Sequence, residues 1–209
     1  MRARVVVLGA SALTLLACSD DPDFAVREDE VCFERRDGQR ICVEVYEASR
    51  QDASDDVEGS SEAPPRSTAG RRPWTNVTWM AAREACRAKG KRLCERDEWL
   101  DACDGGVGED VGSTYPYGDT IDPTLCNVEG GGPIAGGTRA TCVSAFGAFD
   151  MAGNVWEWTG NTTSSAVARG GSFRNSVLHS CGAGDTPPQT FRIDQPNEEV
   201  GFRCCREAG

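Results

Sequence analysis

The sequence predicts an α+β domain with little regular structure, stapled by disulfides. Three observations lead there. Two helix patterns are short, and each is bounded by capping or turn residues. The strand patterns are equally short, and from Asp104 to Ala148 glycine is abundant while no hydrophobic period persists. The chain also carries eleven cysteines among 209 residues, a supply that in an exported protein reads as a disulfide framework.

At the N-terminus, Arg2 and Arg4 precede an apolar run from Val5 to Ala17. A basic start and a short apolar core describe a secretory signal over residues 1–17, too short for a mature membrane span. Leu15-Leu16-Ala17-Cys18 resembles a bacterial lipobox. That implies cleavage before Cys18 and its acylation, with two or more acyl chains giving stable anchoring. An ordinary signal peptide with a chance cysteine is the competing reading. The expected location is therefore the bacterial cell envelope, lipid-anchored through Cys18 and facing the periplasm or the surface. Residues 18–30, which include "SDDPDFAVREDE", are acidic and poor in apolar side chains, and read as a disordered tether. Residues 31–209 remain as one domain.

"CFERRDGQRIC" reads as a hairpin. With Arg36-Asp37-Gly38 as a three-residue loop, Gly38 takes the left-handed position of a bulged turn. Phe33 then faces Ile41, Glu34 faces Arg40, and Cys32 faces Cys42, a register that fits a Cys32–Cys42 bridge. Residues 51–72 are rich in Ser, Asp, Gly and Pro and suggest a mobile surface insertion. Thr78 caps a helix that runs to about Lys89 and stops at Gly90, and a second covers roughly Arg96 to Cys103. After the glycine-rich stretch of loops and short strands, "NVWEWTG" alternates, with Val155 and Glu157 on one side and Trp156 and Trp158 on the other. "GFRC" near the end suggests a closing core strand.

Charge excludes one class of partner. The formal net charge is −11, and it becomes more negative once Arg2 and Arg4 leave with the signal. So acidic a surface repels phosphates, which excludes nucleic acid as a partner. A structural zinc site is poorly supported, since there is no CxxC and only one histidine.

"NVTWMAAREACRAKGKRLCERDEWLDAC", "YPYGD" at 115–119, "DMAGNVWEWTG" at 150–160, "RGGSF" at 169–173 and "GFRCC" at 201–205 follow one another in order. Together they resemble the formylglycine-generating enzyme family, also called sulfatase-modifying factors, over about Val31 to Arg206. The resemblance implies that family's loop-rich, elaborated C-type-lectin-like fold. It also implies pairings: Cys86 with Cys204, and Cys103 with Cys181. Cys94, where the family commonly shows proline, and Cys205, a second cysteine after "GFR", are departures that we join to each other, the alternative being that Cys204 and Cys205 exchange partners. Cys126 and Cys142 remain, to close the glycine-rich loop between them.

Family members that oxidise a substrate cysteine to formylglycine use two cysteines after "GGS" to bind Cu(I), a soft ion that wants soft thiolates. Counted from Ser172, those positions fall on Asn175 and Ser180, neither of which supplies sulfur. Cys181 lies one residue beyond. Copper is therefore not expected. A hydrolytic reading would join Ser172 to His179 and a carboxylate such as Asp185, but no GxSxG elbow supports it; His179 reads as a surface residue beside a disulfide. Calcium is a candidate, because related domains carry it near this motif with oxygen ligands. Asn154, the Val155 carbonyl and Glu157 would hold one ion. Asn127 and the Val128 carbonyl match a second loop only in part. Trp156 and Trp158 read as core rather than pocket lining. Asn76-Val77-Thr78 and Asn161-Thr162-Thr163 have the form of glycosylation sequons, which a bacterial lipoprotein is expected to leave bare.

The expected function is a non-catalytic binding or scaffold module of the cell envelope, a pseudoenzyme whose partner is an unidentified envelope protein or peptide. The alternative is an oxidase of the same family with a divergent metal site, against which stands the shortage of nitrogen and sulfur ligands.

Overall fold

The computed structural model describes residues 27–106, 111–174, 180–182 and 191–208. The N-terminal hairpin joins β1 (Glu30–Glu34) to β2 (Arg40–Glu44). Its register sets Glu34 opposite Arg40, Phe33 opposite Ile41 and Cys32 opposite Cys42. The Arg35 N–H donates to the Gln39 carbonyl at 2.8 Å, and Gly38 has φ +80°, so the loop closes as the bulged turn its glycine predicts. Alternation sends Phe33, Ile41 and Val43 into a core with Trp99 and Met151. Glu30, Cys32, Cys42 and Glu44 take the other face.

Helix α1 (Trp79–Ala88) begins where the Thr78 hydroxyl accepts the Ala81 N–H and ends before Gly90, whose φ is +72°. It buries Trp79, Ala82 and Cys86, one stripe of the helix. A two-residue β3 (Arg92–Leu93) follows, then α2 (Arg96–Asp104). At the start of α2 the Glu98 carboxylate accepts the Glu95 N–H at 2.8 Å and is itself gripped by Arg92 at 2.6 and 2.7 Å.

The remaining strands are β4 (Trp156–Thr159), β5 (Val167–Arg169), β6 (Val200–Phe202) and β7 (Cys204–Glu207). One sheet has the order β1-β2-β7-β3, all antiparallel; the other has the order β5-β4-β6, with β4 and β6 parallel. Trp156 and Trp158 enter a second core with Trp74, Trp79 and Phe202. The Trp158 indole donates to the Val77 carbonyl and the Trp79 indole to the Gly160 carbonyl, both at 2.9 Å.

Five bridges join Cys32–Cys42, Cys86–Cys204, Cys94–Cys205, Cys103–Cys181 and Cys126–Cys142. Cys204 and Cys205 are neighbours on one strand, so their side chains leave opposite faces of the sheet. One reaches α1, the other the segment after β3. These two bridges span 118 and 111 residues, and in the chain-entropy picture each is worth about 4–5 kcal/mol. So many bridges mark a chain that folds under oxidising conditions.

Three expectations differ from what is found. The tether does not run to residue 30: Asp29 pairs with Lys89 and Lys91, and Glu30 pairs with Arg206 and Lys91 as the first residue of β1. Residues 51–72 are not loose but bonded internally and also to the body, where the Gly70 N–H donates to the Gly136 carbonyl and Glu58 accepts the Thr75 N–H. Asp52 accepts the N–H groups of Ser60 and Ser61, Arg71 donates to the Ala53 carbonyl, and Ser49 pairs with Arg66. Ser, Asp and Gly here supply turn chemistry. The stretch from 104 to 148 forms no strand among its described residues, only isolated bridges at Tyr115–Gly118 and Val143–Phe149. No helix among the described residues is long and apolar enough to cross a membrane.

Candidate functional site

Arg203 lies between β6 and β7 and is fully buried. Glu157 of β4 takes it bidentately, at 2.7 Å from Nε to Oε2 and 2.6 Å from Nη2 to Oε1. The Trp99 indole adds a bond to Oε2 at 2.7 Å. Arg203 also donates to the carbonyls of Glu44 and Phe149. The pair joins both sheets, and its hydrogen bonds satisfy the buried charges.

Two further buried carboxylates, Glu47 and Asp150, lie beside this pair and have only Arg203 as a nearby cation among the described residues. Glu47 accepts the Asn154 Nδ2 at 2.5 Å and the Val155 N–H at 3.2 Å. Asp150 accepts the Gly137 N–H on Oδ2 at 2.7 Å, while its buried Oδ1 has no hydrogen-bond partner among the described residues. Burial first, then the charges of Asp150 and Glu157, push the Glu47 carboxyl well above the usual range. Burial likewise raises Asp150 to about 6. Asp150 and Asn154 have positive φ, +56° and +55°, a backbone these residue types tolerate. The tight turn aims both side chains inward.

The glycine-rich loop closes over this centre. Asn127 donates to Asn154 Oδ1 at 3.0 Å and to the Gly132 carbonyl at 3.1 Å. The Ile134 N–H also reaches Asn154 Oδ1, at 2.9 Å. Gly153 has φ +76°, and a Cβ there would stand 2.5 Å from the Asn127 carbonyl oxygen, so the approach of the two loops requires glycine.

A second feature is a cleft of about 550 Å³ between the end of α2 and Cys181, lined by Leu100, Asp104, Ser113, Thr114, Asp119 and Ser180 among others. Arg36 holds Asp104 at 2.7 Å, and Asp119 accepts the Thr114 N–H at 2.9 Å. Between the lining residues Ser180 and Gly182, the Cys181 N–H donates to the Thr114 carbonyl at 2.9 Å and its sulfur is bridged to Cys103.

The residues singled out in the sequence separate. Asn127, Asn154 and Val155 are brought together. Glu157 is not part of their cluster in the expected way: its two oxygens are committed to Arg203 and Trp99, because "GFRC" supplies a buried cation beside β4. The acids that do reach the Asn154 turn are Glu47 and Asp150, which sequence reasoning missed. Asp150 stands in the quoted "DMAGN", but Glu47 lies 107 residues from Asn154, and no spacing could expose it. Ser172 is fully buried, and its hydroxyl donates to Glu199 Oε2 at 2.6 Å. Glu199 was also missed. Ser180 lines the cleft. Cys18, Asn175, His179 and Asp185 lie outside the described residues.

The sulfatase-modifying factor enzyme 1-like domain matches residues 22–208, and the chain belongs to that family. Among its relatives, the inactive C-alpha-formylglycine-generating enzyme 2 of Bos taurus is 32% identical over 162 residues, 66% of this chain and 51% of that protein. The formylglycine-generating enzyme of Streptomyces coelicolor is 26% identical over 175 residues, covering 65% and 53%. The chain thus spans about half the length of these curated relatives. Of solved structures, Treponema denticola variable protein 1 superposes with TM-score 0.62 at 16% identity, covering 87% of this chain and 92% of that one. CarF follows at TM-score 0.58 and 17% identity, covering 81% and 87%. At such identities the likeness shows the shared fold.

The donor sets can be tested against the metals the family resemblance implies. Copper(I) does not fit: Ser180 offers a hydroxyl, and Cys181 has no thiol to give while bridged to Cys103. Calcium fits better. The orphaned Oδ1 of Asp150 and a second uncompensated carboxylate are hard oxygen donors in a buried site.

Proposed function

We propose that this chain is an exported, lipid-anchored binding module that keeps the formylglycine-generating fold without copper-dependent oxidation. Cys18 carries the anchor. The single observation that carries the non-catalytic reading is the Cys103–Cys181 bridge. It removes the sulfur that lies one residue past the second position where a copper thiolate is required. The names of the relatives in cattle and mouse, both inactive enzymes, support the same reading. Glu47 and Asp150 would hold calcium together with the Val155 carbonyl, while Asn154, whose Nδ2 donates to Glu47 and whose Oδ1 accepts from Asn127 and Ile134, positions the site. When bound, calcium supplies charge neutralisation, and the residues around it fix the glycine-rich loop. The cleft beside Ser180 takes a peptide of an envelope protein, its hydroxyls and backbone offering hydrogen bonds above the apolar Leu100.

The test is direct. Purified protein given Cu(I), oxygen and a cysteine-containing sulfatase-type peptide should form no aldehyde and bind no stoichiometric copper. Aldehyde formation would overturn the reading and restore the oxidase. Replacing both Asn175 and Ser180 by cysteine should confer Cu(I) affinity that the parent lacks. For the anchor, the parent should partition into detergent while Cys18→Ser stays in the aqueous phase; equal partitioning would exclude acylation at Cys18.

A further inference from the structure

The five bridges are not equivalent. Nine of their ten cysteines are fully buried, and Cys32 alone is half-buried. Its bridge also closes the shortest loop, with a separation of 10 residues against 16 to 118 for the others. Opening it therefore returns the least entropy to the unfolded chain. Cys32 faces Cys42 across the hairpin, and Cys42 in turn faces Arg206 on β7. Glu30 lies two residues before Cys32 on the same face, with an oxygen within 4.8 Å of both sulfurs.

We propose that Cys32–Cys42 is reducible in the folded protein, and that the reduced hairpin is a site for a thiophilic divalent ion such as zinc or cadmium, with Glu30 as third donor. In the first step a dithiol passes two electrons and two protons to the bridge. The S–S bond breaks, two thiols form, and the dithiol becomes a disulfide. In the second step the ion displaces both thiol protons and forms two sulfur–metal bonds. The local charges accommodate this. Asp29, Glu30 and Glu44 are matched by Lys89, Lys91 and Arg206, and a divalent ion with two thiolates adds no net charge. Arg206, which faces Cys42 across the sheet, favours the thiolate. The fold outlasts the reduction, because Cys86–Cys204 and Cys94–Cys205 still clamp β7 from both faces.

The experiment has two stages on the purified protein. Graded phosphine reduction with differential alkylation should label Cys32 and Cys42 before any other cysteine, with the near-ultraviolet circular dichroism of the buried tryptophans retained. Cadmium added to that form should give the thiolate charge-transfer band at one ion per chain, competed by zinc. The double variant Cys32→Ser/Cys42→Ser should give no band. Glu30→Gln should weaken cadmium binding by about tenfold or more, whereas Glu34→Gln, exposed on the same strand, should not. Earlier opening of another bridge would overturn the proposal. So would loss of the folded signal, absence of the band, or equal affinities for Glu30→Gln and Glu34→Gln.

Discussion

Two buried charge clusters lie within a strand of each other and differ in their balance. On the outer face of the first sheet, Asp29, Glu30 and Glu44 meet Lys89, Lys91 and Arg206. Three acids face three largely buried bases, with the exposed Arg27 a fourth at 3.9 Å from Glu30. On its inner face, Glu47, Asp150 and Glu157 share Arg203. Glu44 links the two, its carboxylate serving the outer cluster and its carbonyl accepting from Arg203 at 3.0 Å. The outer cluster is complete as it stands and acts as a latch for the N-terminal hairpin. The inner one carries two carboxylates beyond its cation. Their raised pKa values express that excess as a demand for a proton or a cation.

The largest expected effect breaks the inner cluster. Arg203→Met removes the cation that Glu157, Glu47 and Asp150 share and leaves three buried carboxylates, so it should destabilise by about 3–5 kcal/mol or prevent folding. Lys91→Met leaves Glu30 with Arg206 and Glu44 with Lys89, and should cost clearly less. Urea midpoints of the two variants measure the contrast. Equal losses would show that the balance of charges does not distinguish the clusters.

Calcium sharpens the comparison next. The parent should melt at higher temperature in calcium than in chelator, by the amount that binding to the folded state gives, about 2.7 kcal/mol at a hundredfold excess over Kd. Asp150→Asn removes one excess charge. It should therefore raise stability in chelator and abolish the response to calcium, a reversal that a merely structural aspartate would not produce. Glu44→Gln, in the balanced cluster, should lower stability in both buffers.

The contrast also explains what the sequence could disclose. The hairpin was legible because its turn residues fix a local register, with Gly38 alone able to take the left-handed position. The two helices were legible from Thr78, Gly90 and their apolar spacing. Family motifs then ordered the rest of the fold. The inner cluster was legible only in part. "DMAGNVWEW" pointed to Asn154 and Glu157, but "GFRC" read only as a closing strand with a bridged cysteine, so its arginine went unnoticed and the pairing of acid with base stayed hidden. Glu157 read as a calcium ligand because nothing in the linear order shows Arg203 folding back onto it. Glu47 and Glu199 carried no local signal, since their partners are brought by long-range topology. The insertion at 51–72 misled for the opposite reason. Its composition is that of a loose loop, but its aspartate and serines bond to their own backbone.

The smallest expected effect concerns the latch and acid. Burial opposes the charge on Asp29, but Lys91 and Lys89 outweigh it and hold its carboxyl below the ordinary value of 3.8. Glu30 behaves likewise beneath its ordinary 4.5, through Arg206 and Lys91. A carboxyl whose pKa is lower in the folded state is bound to fewer protons there than in the unfolded chain. Its contribution is fully present above the unfolded value and disappears as pH falls through the folded one. The latch should therefore be insensitive to pH from neutrality down to the ordinary carboxylate range and weaken only below it. Asp29 is partly exposed, so its pairs are screened, and Asp29→Asn should cost about 1 kcal/mol or less near neutral pH. Amide exchange in β1 and β2 followed against pH reads this locally. In the parent, protection of the hairpin should begin to fall below the ordinary value for Asp29; in Asp29→Asn the neutral-pH protection should already be slightly reduced, with a shallower acid limb. An acid limb unchanged by the substitution would assign the hairpin's pH response to Glu30 and Arg206 alone, and would shrink the latch to that pair.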